Sequence, residues 1–565
     1  MTPQDLTTRH RRLATLLVGL LAVAAFAPSI RNGFVYDDGQ YILKNPLIAS
    51  WSWDHLRTIL TQSYFGNFHP LHLIVYVLER STFGLRPMGW HVVSVALHAV
   101  NAMLLYRLLP RFGVGPIVAL VGTAIFAVHP VQTESVAWIS EQKNLLSLLF
   151  SLLSVRLYLN NRASGHIISL VGSTATFLAA LASKVSAIGL VPFFFAVEFF
   201  APPMLPPPKG RTFVRILPFV LLAGIWVNLT ILAHGRSGFI YAYHGGSLGA
   251  TLFSVGPVLV AYTYNILWPM KLSAVYDLRP ATEIAPTALL ACWILMLFAL
   301  TGVVKLARFE RERRIVLGLV WVVAFLLPVM NLIPIGTLMN DRYLYIPLCA
   351  IGPMGAGGIS ALFRLRRIDR DPRVLAVGVA FLLAAFVIAS SVRTGVWKDD
   401  ESLWRDATAK YPRSGRAFCN LGTTHLKQGD LSQAERELRM ALDMDPYQPR
   451  AYHNLGVIHS RERRFHLAVA EFKAATKLAP RSYDAWINLA VTEALAGNLE
   501  AARTAVKRAH FLDPRQDAPV LLLQWLRVRK GGAIAATDGF QGLLSSGTGS
   551  VLPMDAGEGQ LRKFR

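Results

Sequence analysis

Long apolar segments recur through the first 392 residues, and this feature most constrains the fold. A membrane-spanning helix needs roughly 20 consecutive apolar residues, and twelve segments approach that length. The candidate spans are 13–30, 90–109, 115–133, 143–160, 166–183, 186–201, 213–233, 250–268, 286–304, 315–335, 343–362 and 373–392. Charged residues make up only 16% of the chain, against about 25% in soluble domains. The pattern predicts an all-α, multi-span membrane bundle and excludes a soluble enzyme or a disordered chain.

The net charge of +23 is unevenly distributed. From Trp397 onward, 25 basic and 19 acidic residues leave +6, so +17 falls before that point. Charged residues are sparse before Trp397 and dense after it, which predicts a membrane domain over 1–396. Thin charge between apolar runs favours membrane lipid over nucleic acid as the partner. Three distant cysteines, Cys292, Cys349 and Cys419, form no disulfide framework.

The distribution of basic residues predicts the orientation in the membrane. Positive loops stay in the cytoplasm, which is where the basic N-terminus is expected. With twelve spans, the basic loops 305–314 and 364–373 would lie on the wrong side. Segment 250–268, interrupted by Pro257, is the best suspect for an incomplete span. About eleven spans remain, which predicts a multi-pass membrane protein whose C-terminal region, after residue 392, lies outside the cytoplasm.

The first predicted outer loop, 31–88, begins with an acidic sequence, VYDDGQYILKNP. Adjacent carboxylates at Asp37 and Asp38 are costly near a membrane unless they are solvated, paired or bound to a metal. On local evidence alone, a helix cap or a solvated turn is the better explanation. Their position next to the first span makes them candidates for catalysis or for binding a divalent metal.

Further polar residues lie at the predicted outer ends of later spans. AVHPVQTESVAWISEQKN lacks the HExxH spacing of a metal site, SKVSAIGLVP holds an isolated lysine, and MNDRYLYIP holds an arginine. The lysine can extend to lipid headgroups or bind a lipid-linked phosphate. The arginine can pair with a phosphate or carboxylate, or simply contact Asp341. The candidate substrate- or phosphate-binding residues are His129, Glu134, Lys143, Lys184, Arg342 and Tyr343.

A 34-residue period organises the C-terminal region. Prolines recur at 412, 446, 480 and 514, and an Asn-Leu-Gly/Ala triplet recurs at the same spacing. This is the pattern of the tetratricopeptide repeat, a helix–turn–helix of 34 residues. The predicted solenoid covers 397–530, with repeats 412–446, 446–480 and 480–514 between two cap helices. The Gly/Ser-rich tail 531–565 is predicted to be flexible.

An asparagine ladder at Asn420, Asn454 and Asn488 occupies equivalent positions on the predicted first helices. Amide side chains can hold a peptide backbone without reading its sequence, which makes the ladder a candidate protein-binding groove. The alternative is that the triplet is simply common in this repeat.

Several segments, in this order, resemble one family. They are VYDDGQYILKNP, HPLH with GWHVVSVALHAVNAMLLY, FAVHPVQTESVAWISEQKNLL, SKVSAIGLVPF and DRYLYIP, followed by the repeats. Together they resemble membrane glycosyltransferases of the GT-C class, in particular transmembrane-and-tetratricopeptide O-mannosyltransferases and their bacterial relatives. Val185 departs from the pattern, since relatives often carry another residue after the lysine.

The resemblance implies a polyprenyl-phosphate sugar donor, an outward-facing site, inversion at the sugar carbon and a hydroxyl acceptor, with a protein acceptor favoured by the repeats. Arg342, Lys184 and Lys143 would stabilise the leaving phosphate. Asp38 would act as general base, with Asp37 orienting the acceptor or a metal. His129 and Glu134 would line the same opening. The competing hypotheses are a catalytically inactive membrane scaffold that recruits partners and, with less support, a transporter.

Overall fold

The computed structural model describes residues 3–200, 212–237, 242–307, 313–350, 352, 354–355, 358, 372–514 and 516–529. This described part is helical and holds no β-strand, only an isolated bridge between Tyr64 and Asn67. The all-α prediction is therefore confirmed for these residues. The chain forms two compact units, the first being Met1–Ala233 with Ile240–Asp399 and the second His234–Phe239 with Asp400–Arg565.

Helices of very different length build the first unit. They are α1 Pro3–Phe26, α2 Trp53–Thr61, α3 Pro70–Phe83, α4 Pro87–Leu108, α5 Pro116–Val128, α6 Thr133–Ala137, α7 Gln142–Ser164, α8 Ile167–Ser183, α9 Leu190–Phe199, α10 Thr212–Ser237, α11 Leu248–Leu267, α12 Pro286–Ala307, α13 Arg313–Leu326 and α14 Pro372–Thr394. Several begin with proline, whose missing N–H costs nothing in the first turn. Short helices α2 and α3 lie in the acidic loop, between α1 and α4.

Five helices among the described residues are long and apolar enough to cross a membrane, or six if one bent pair forms a single span. The five are Arg9–Arg31, Pro87–Phe112, Thr212–Leu232, Leu248–Leu267 and Arg373–Trp397. The expectation that 250–268 is an incomplete span is at odds with this result, because α11 runs through Pro257 without a break. The described helices do not reach the predicted count of about eleven, which stays a prediction.

The bent pair positions part of the site. Helix α5 ends at Val128, and the chain turns by 48° into Pro130–Ala137. Pro130 has no N–H to continue the helix, and the His129 Nδ1 accepts a hydrogen bond from the Val131 N–H at 3.1 Å. The residues around the break are buried, and α6 and α7 follow directly from it.

Pairs of helices form the second unit, as the 34-residue period predicts. They are α15 Asp400–Lys410, α16 Gly415–Gln428, α17 Leu431–Met444, α18 Pro449–Arg461, α19 Phe465–Leu478, α20 Tyr483–Leu495, α21 Leu499–Leu512 and α22 Asp517–Arg529. Each predicted repeat corresponds to two of these helices, with α15 and α22 at the ends. The predicted flexible tail, 531–565, lies outside the described residues.

Close packing explains the glycine of the repeated triplet. A Cβ placed on Gly456 would lie 2.8 Å from the ring of the buried Phe472. Gly456→Ala should therefore lower the unfolding free energy by about 1–3 kcal/mol, because the core has no room for another methyl group. Thermal unfolding of the full chain in detergent measures this, and G456A/F472L should recover part of the loss. Unchanged stability in G456A would contradict this packing.

Candidate functional site

Side chains from distant parts of the first unit converge around one short segment, Trp138–Asn144. This segment joins α6 to α7 and is buried throughout. It contacts the acidic sequence on one side, and on the other it holds cations contributed by Lys184 and Arg342. The site therefore combines residues from all four regions of the membrane domain that carried the predicted polar candidates.

Asp38 is fully buried and held by three hydrogen-bond donors. Its carboxylate accepts from the Val35 N–H at 3.0 Å, the Ser140 N–H at 2.8 Å and the Ser140 hydroxyl at 2.5 Å. Burial raises the pKa of Asp38 to about 7, although these donors act in the opposite direction. An acceptor hydroxyl has no access to this carboxylate, so its geometry is that of a positioning residue rather than the predicted general base.

Asp37, in contrast, is part-exposed, and the backbone before it is constrained. Tyr36 adopts a φ of 55°, a conformation that is uncommon outside glycine and often found at functional sites. The Tyr36 ring stacks on Trp138 with 5.1 Å between centroids. The Asp38 anchor and the Tyr36 stack thus hold Asp37 from both sides, with its side chain reaching the surface of the site.

Three cations surround a single buried carboxylate, Glu141. The Lys143 Nζ lies 3.1 Å from one oxygen of Glu141, and the Lys184 Nζ lies 3.2 Å from the other. The Arg342 Nε lies 3.6 Å away. Burial opposes ionisation of Glu141, but these cations outweigh it and lower its pKa to about 2. The Glu141 carboxylate is therefore ionised, and three cationic side chains are grouped around it.

Asn144 fixes the lysine of this cluster. The Lys184 ammonium donates to the Asn144 Oδ1 at 2.7 Å, and the Asn144 amide donates to Glu141 at 2.6 Å. The same amide lies 3.2 Å from the Arg342 carbonyl. Sequence reasoning assigned no role to Glu141 or Asn144. The available signal was the polar sequence EQKN at the start of a long apolar helix, where charges are costly without partners.

Arg342 is paired with Glu134. Its guanidinium lies 2.5 Å from one Glu134 oxygen, and its backbone N–H donates to the other at 2.9 Å. The guanidinium also lies over the rings of Trp138 and Tyr343, 5.4 and 5.2 Å from their centroids, a favourable cation–π arrangement.

The proposed contact between Asp341 and Arg342 is wrong. Asp341 is buried and accepts hydrogen bonds from the Tyr276 hydroxyl at 2.5 Å and the Asn265 amide at 3.1 Å. Both bonds go to the Asp341 Oδ1, and the guanidinium of Arg342 pairs with Glu134 instead.

His129 takes no part in the cluster. Its Nε2 lies 2.9 Å from the Ile266 carbonyl, and its ring packs against Phe386. With Nδ1 accepting from Val131, both ring nitrogens are used to hold the break after α5. The expectation that His129 lines the opening is therefore not supported by its contacts, which are structural.

Exposure divides the cluster into a buried acidic layer and a more accessible cationic layer. The Glu134 and Glu141 side chains are 1–2% exposed, whereas Lys143, Lys184 and Arg342 are 10%, 11% and 17% exposed. The cations are therefore the part of the cluster that an entering ligand would contact, and their positive charge favours an anionic ligand. Among the residues that the structure describes, no group of three or more His, Cys, Asp or Glu side chains forms a metal-binding arrangement.

Tyr41 connects the cationic cluster to the acidic sequence. The Lys143 ammonium lies over the Tyr41 ring, 5.2 Å from its centroid. The negative charges of Asp37 and Glu141 both act on the Tyr41 phenol, whose pKa is raised, first by burial and then by these charges. The Tyr41 N–H also donates to the Asp37 carbonyl at 2.9 Å, so Tyr41 links the turn that carries Asp37 to Lys143.

The asparagine ladder does not form an open peptide-binding row. Asn420, Asn454 and Asn488 are all buried. The Asn454 amide donates to the Thr423 hydroxyl at 2.9 Å, and the Asn488 amide lies 3.1 Å from the His453 Nε2. These contacts join one repeat to the next, so the geometry favours the structural alternative.

The class of protein follows from these observations. It is a helical membrane protein with a buried charged cluster, joined to a tetratricopeptide solenoid. A family model for the tetratricopeptide repeat matches residues 401–449 and 453–517.

Curated relatives resemble most of the chain. It is 24% identical over 491 residues to protein O-mannosyl-transferase TMTC4 of Homo sapiens, covering 75% of this chain and 65% of the relative. It is 27% identical over 557 residues to protein O-mannosyl-transferase Tmtc1 of Drosophila melanogaster, covering 78% and 62%. The chain thus spans less than two thirds of the length of these relatives. The predicted resemblance to transmembrane-and-tetratricopeptide O-mannosyltransferases is confirmed.

Proposed function

We propose that the protein is a membrane glycosyltransferase that moves a sugar from a polyprenyl-phosphate donor to a hydroxyl group of a protein. The observation that carries this proposal is the convergence of Arg342, Lys184 and Lys143 on Glu141, linked through Tyr41 to the turn that carries Asp37. The names of the curated relatives support the transferase class and the protein acceptor.

The cationic layer serves the leaving group. When the bond between the anomeric carbon and the phosphate oxygen breaks, negative charge develops on the phosphate. Fixed positive charges at that point stabilise the transition state without needing to reorganise. Glu134 and Asn144 fix Arg342 and Lys184 in position, and an arginine can hold a phosphate through two parallel hydrogen bonds.

Asp37 serves the acceptor. The acceptor oxygen forms a bond to the anomeric carbon as the bond to phosphate breaks, and the hydroxyl proton passes to the Asp37 carboxylate. The phosphate leaves with the bonding electron pair from the face opposite the attacking oxygen, so the sugar carbon is inverted. Asp38 holds the backbone of Asp37 through Ser140, which exchanges the roles first assigned to the two carboxylates.

The repeats complete the proposal as an acceptor-holding device. A tethered binding module raises the effective concentration of acceptor at the site without new active-site contacts. We place the repeats and the charged cluster on the outer side of a bacterial inner membrane. The membrane domain is then a bundle of about eleven spans. The basic N-terminus, which favours the cytoplasm, supports this orientation.

The donor class can be tested directly. Purified protein in liposomes should transfer labelled mannose to an acceptor protein from polyprenyl-phosphate mannose but not from a nucleotide-linked mannose. The physical reason is that a lipid-tethered monophosphate fits a cationic cluster at the end of membrane helices. Transfer from the nucleotide sugar alone would contradict the proposed donor. No transfer from either donor, with intact fold, would favour the inactive scaffold.

A further inference from the structure

A second cationic site lies at the opposite end of the helices that carry the charged cluster. A cavity of about 300 Å³ opens between α1, α4 and α7. Its lining consists of five arginines, three leucines and one threonine. These residues are Arg11, Arg12, Thr15, Leu104, Arg107, Leu108, Arg111, Leu152 and Arg156.

The distance along the helices separates this cavity from the candidate catalytic site. On α7, Asn144 belongs to the charged cluster and Arg156 lines the cavity, which is roughly 18 Å apart at the helical rise of 1.5 Å per residue. On α1, the cavity residue Arg12 precedes the helix end at Phe26 by roughly 21 Å. The cavity and the charged cluster are therefore two separate sites, about three helical turns apart along α7.

The five arginines leave positive charge uncompensated. All five side chains are exposed, and none has a carboxylate within ion-pair distance among the residues that the structure describes. The Arg111 guanidinium donates to the Arg156 carbonyl at 3.1 Å, which brings positive groups from two helices together. Like charges that lie close together repel each other, and an anion bound between them offsets this repulsion.

We propose that this cavity binds the phosphate head group of an anionic phospholipid. Arginine matches the geometry of a phosphate through paired hydrogen bonds, and basic pockets between membrane helices on the cytoplasmic side are suited to such head groups. The leucines on the cavity wall continue toward the exposed apolar face of α1, which includes Leu13, Leu16 and Leu20. An acyl chain can therefore lie against this face while the head group occupies the cavity. This site is independent of the proposed sugar transfer.

Lipid titration of the purified full chain in detergent tests the proposal. Dioleoyl phosphatidylglycerol should raise the thermal unfolding temperature at a lower concentration than dioleoyl phosphatidylcholine. In R107Q/R111Q/R156Q the half-maximal concentration of phosphatidylglycerol should increase about tenfold or more, because charge-assisted contacts to phosphate are lost. The control R413Q/R436Q/R508Q removes the same charge from exposed positions in the repeats and should behave like the unaltered protein.

Two further measurements keep the proposal falsifiable. R107K/R111K/R156K keeps the charge that sets orientation in the membrane, and it should still weaken phosphatidylglycerol binding because lysine lacks the paired donors. Inorganic pyrophosphate should not reproduce the stabilisation at equal phosphate concentration, and an equal effect would identify a soluble anion instead of a lipid. Equal phosphatidylglycerol response in the unaltered protein, the glutamine variant and the lysine variant would overturn the site.

Discussion

Arg342→Gln is expected to reduce the rate of sugar transfer by about 10²–10³, the loss typical of removing one donor that stabilises developing charge. Arg342 binds Glu134, approaches Glu141 and lies over two aromatic rings. The substitution removes the most exposed cation of the cluster. Transfer from polyprenyl-phosphate mannose in liposomes measures the effect.

Loss of stability must be separated from loss of catalysis in this variant. Removing one partner of a buried ion pair leaves an uncompensated charge, at a cost of about 3–5 kcal/mol. E134Q/R342Q removes both charges and should recover stability while transfer stays low. R342K keeps the charge and should retain an intermediate rate. Full transfer in the double variant would show that Arg342 acts only on folding and would refute its role at the phosphate.

Asp37→Asn is expected to reduce transfer by about 10²–10⁴, because the acceptor proton then has no base to receive it. Asparagine has nearly the same size and shape as aspartate, so the variant should keep its fold, and thermal unfolding of the same sample checks this. Asp37→Glu keeps the carboxylate and should retain part of the activity. Initial rates with saturating donor measure the effect on the chemical step.

Asp38→Asn provides the matched comparison at the adjacent carboxylate. An amide group cannot accept all three hydrogen bonds from Val35 and Ser140, so one donor loses its partner. The unfolding free energy should fall by about 1–3 kcal/mol, with a smaller loss of transfer than in D37N. The reverse result, an active D37N and an inactive but stable D38N, would restore the original assignment of Asp38 as base.

The sequence predicted which regions form the site, because the resemblance preserves their order along the chain. Arg342, Lys184, Lys143, Glu134 and Tyr343 indeed come together. The roles of Asp37 and Asp38 were not predictable from the sequence. Asp38 is the buried one of the two because its carboxylate bonds to Ser140, which lies 102 residues away, and because the backbone at Tyr36 adopts a positive φ. Glu141 escaped notice for the same reason, because its partners are distant in sequence.

Helix boundaries limited the prediction of the membrane domain. Hydropathy detects apolar segments, but it does not detect where the helix breaks inside one. The chain breaks at Lys184, between α8 and a short 3₁₀ turn over Val185–Gly189. Pro257, which seemed a break, lies inside a continuous helix. Whether a helix breaks at such residues depends on backbone hydrogen bonds and packing. Hydropathy averaged over a stretch of sequence reports neither of them.

The buried carboxylate at the centre of the cluster has a consequence for turnover. Under the proposed function, Glu141 holds the cations when no donor is present and competes with the product phosphate for them. We then expect each release of lipid phosphate to be compensated by contacts that re-form within the protein. We also expect the site to discriminate against small free phosphates, which bring no lipid tail to offset the displacement of Glu141. Rapid product exchange and resistance to inorganic phosphate would both follow from this one residue.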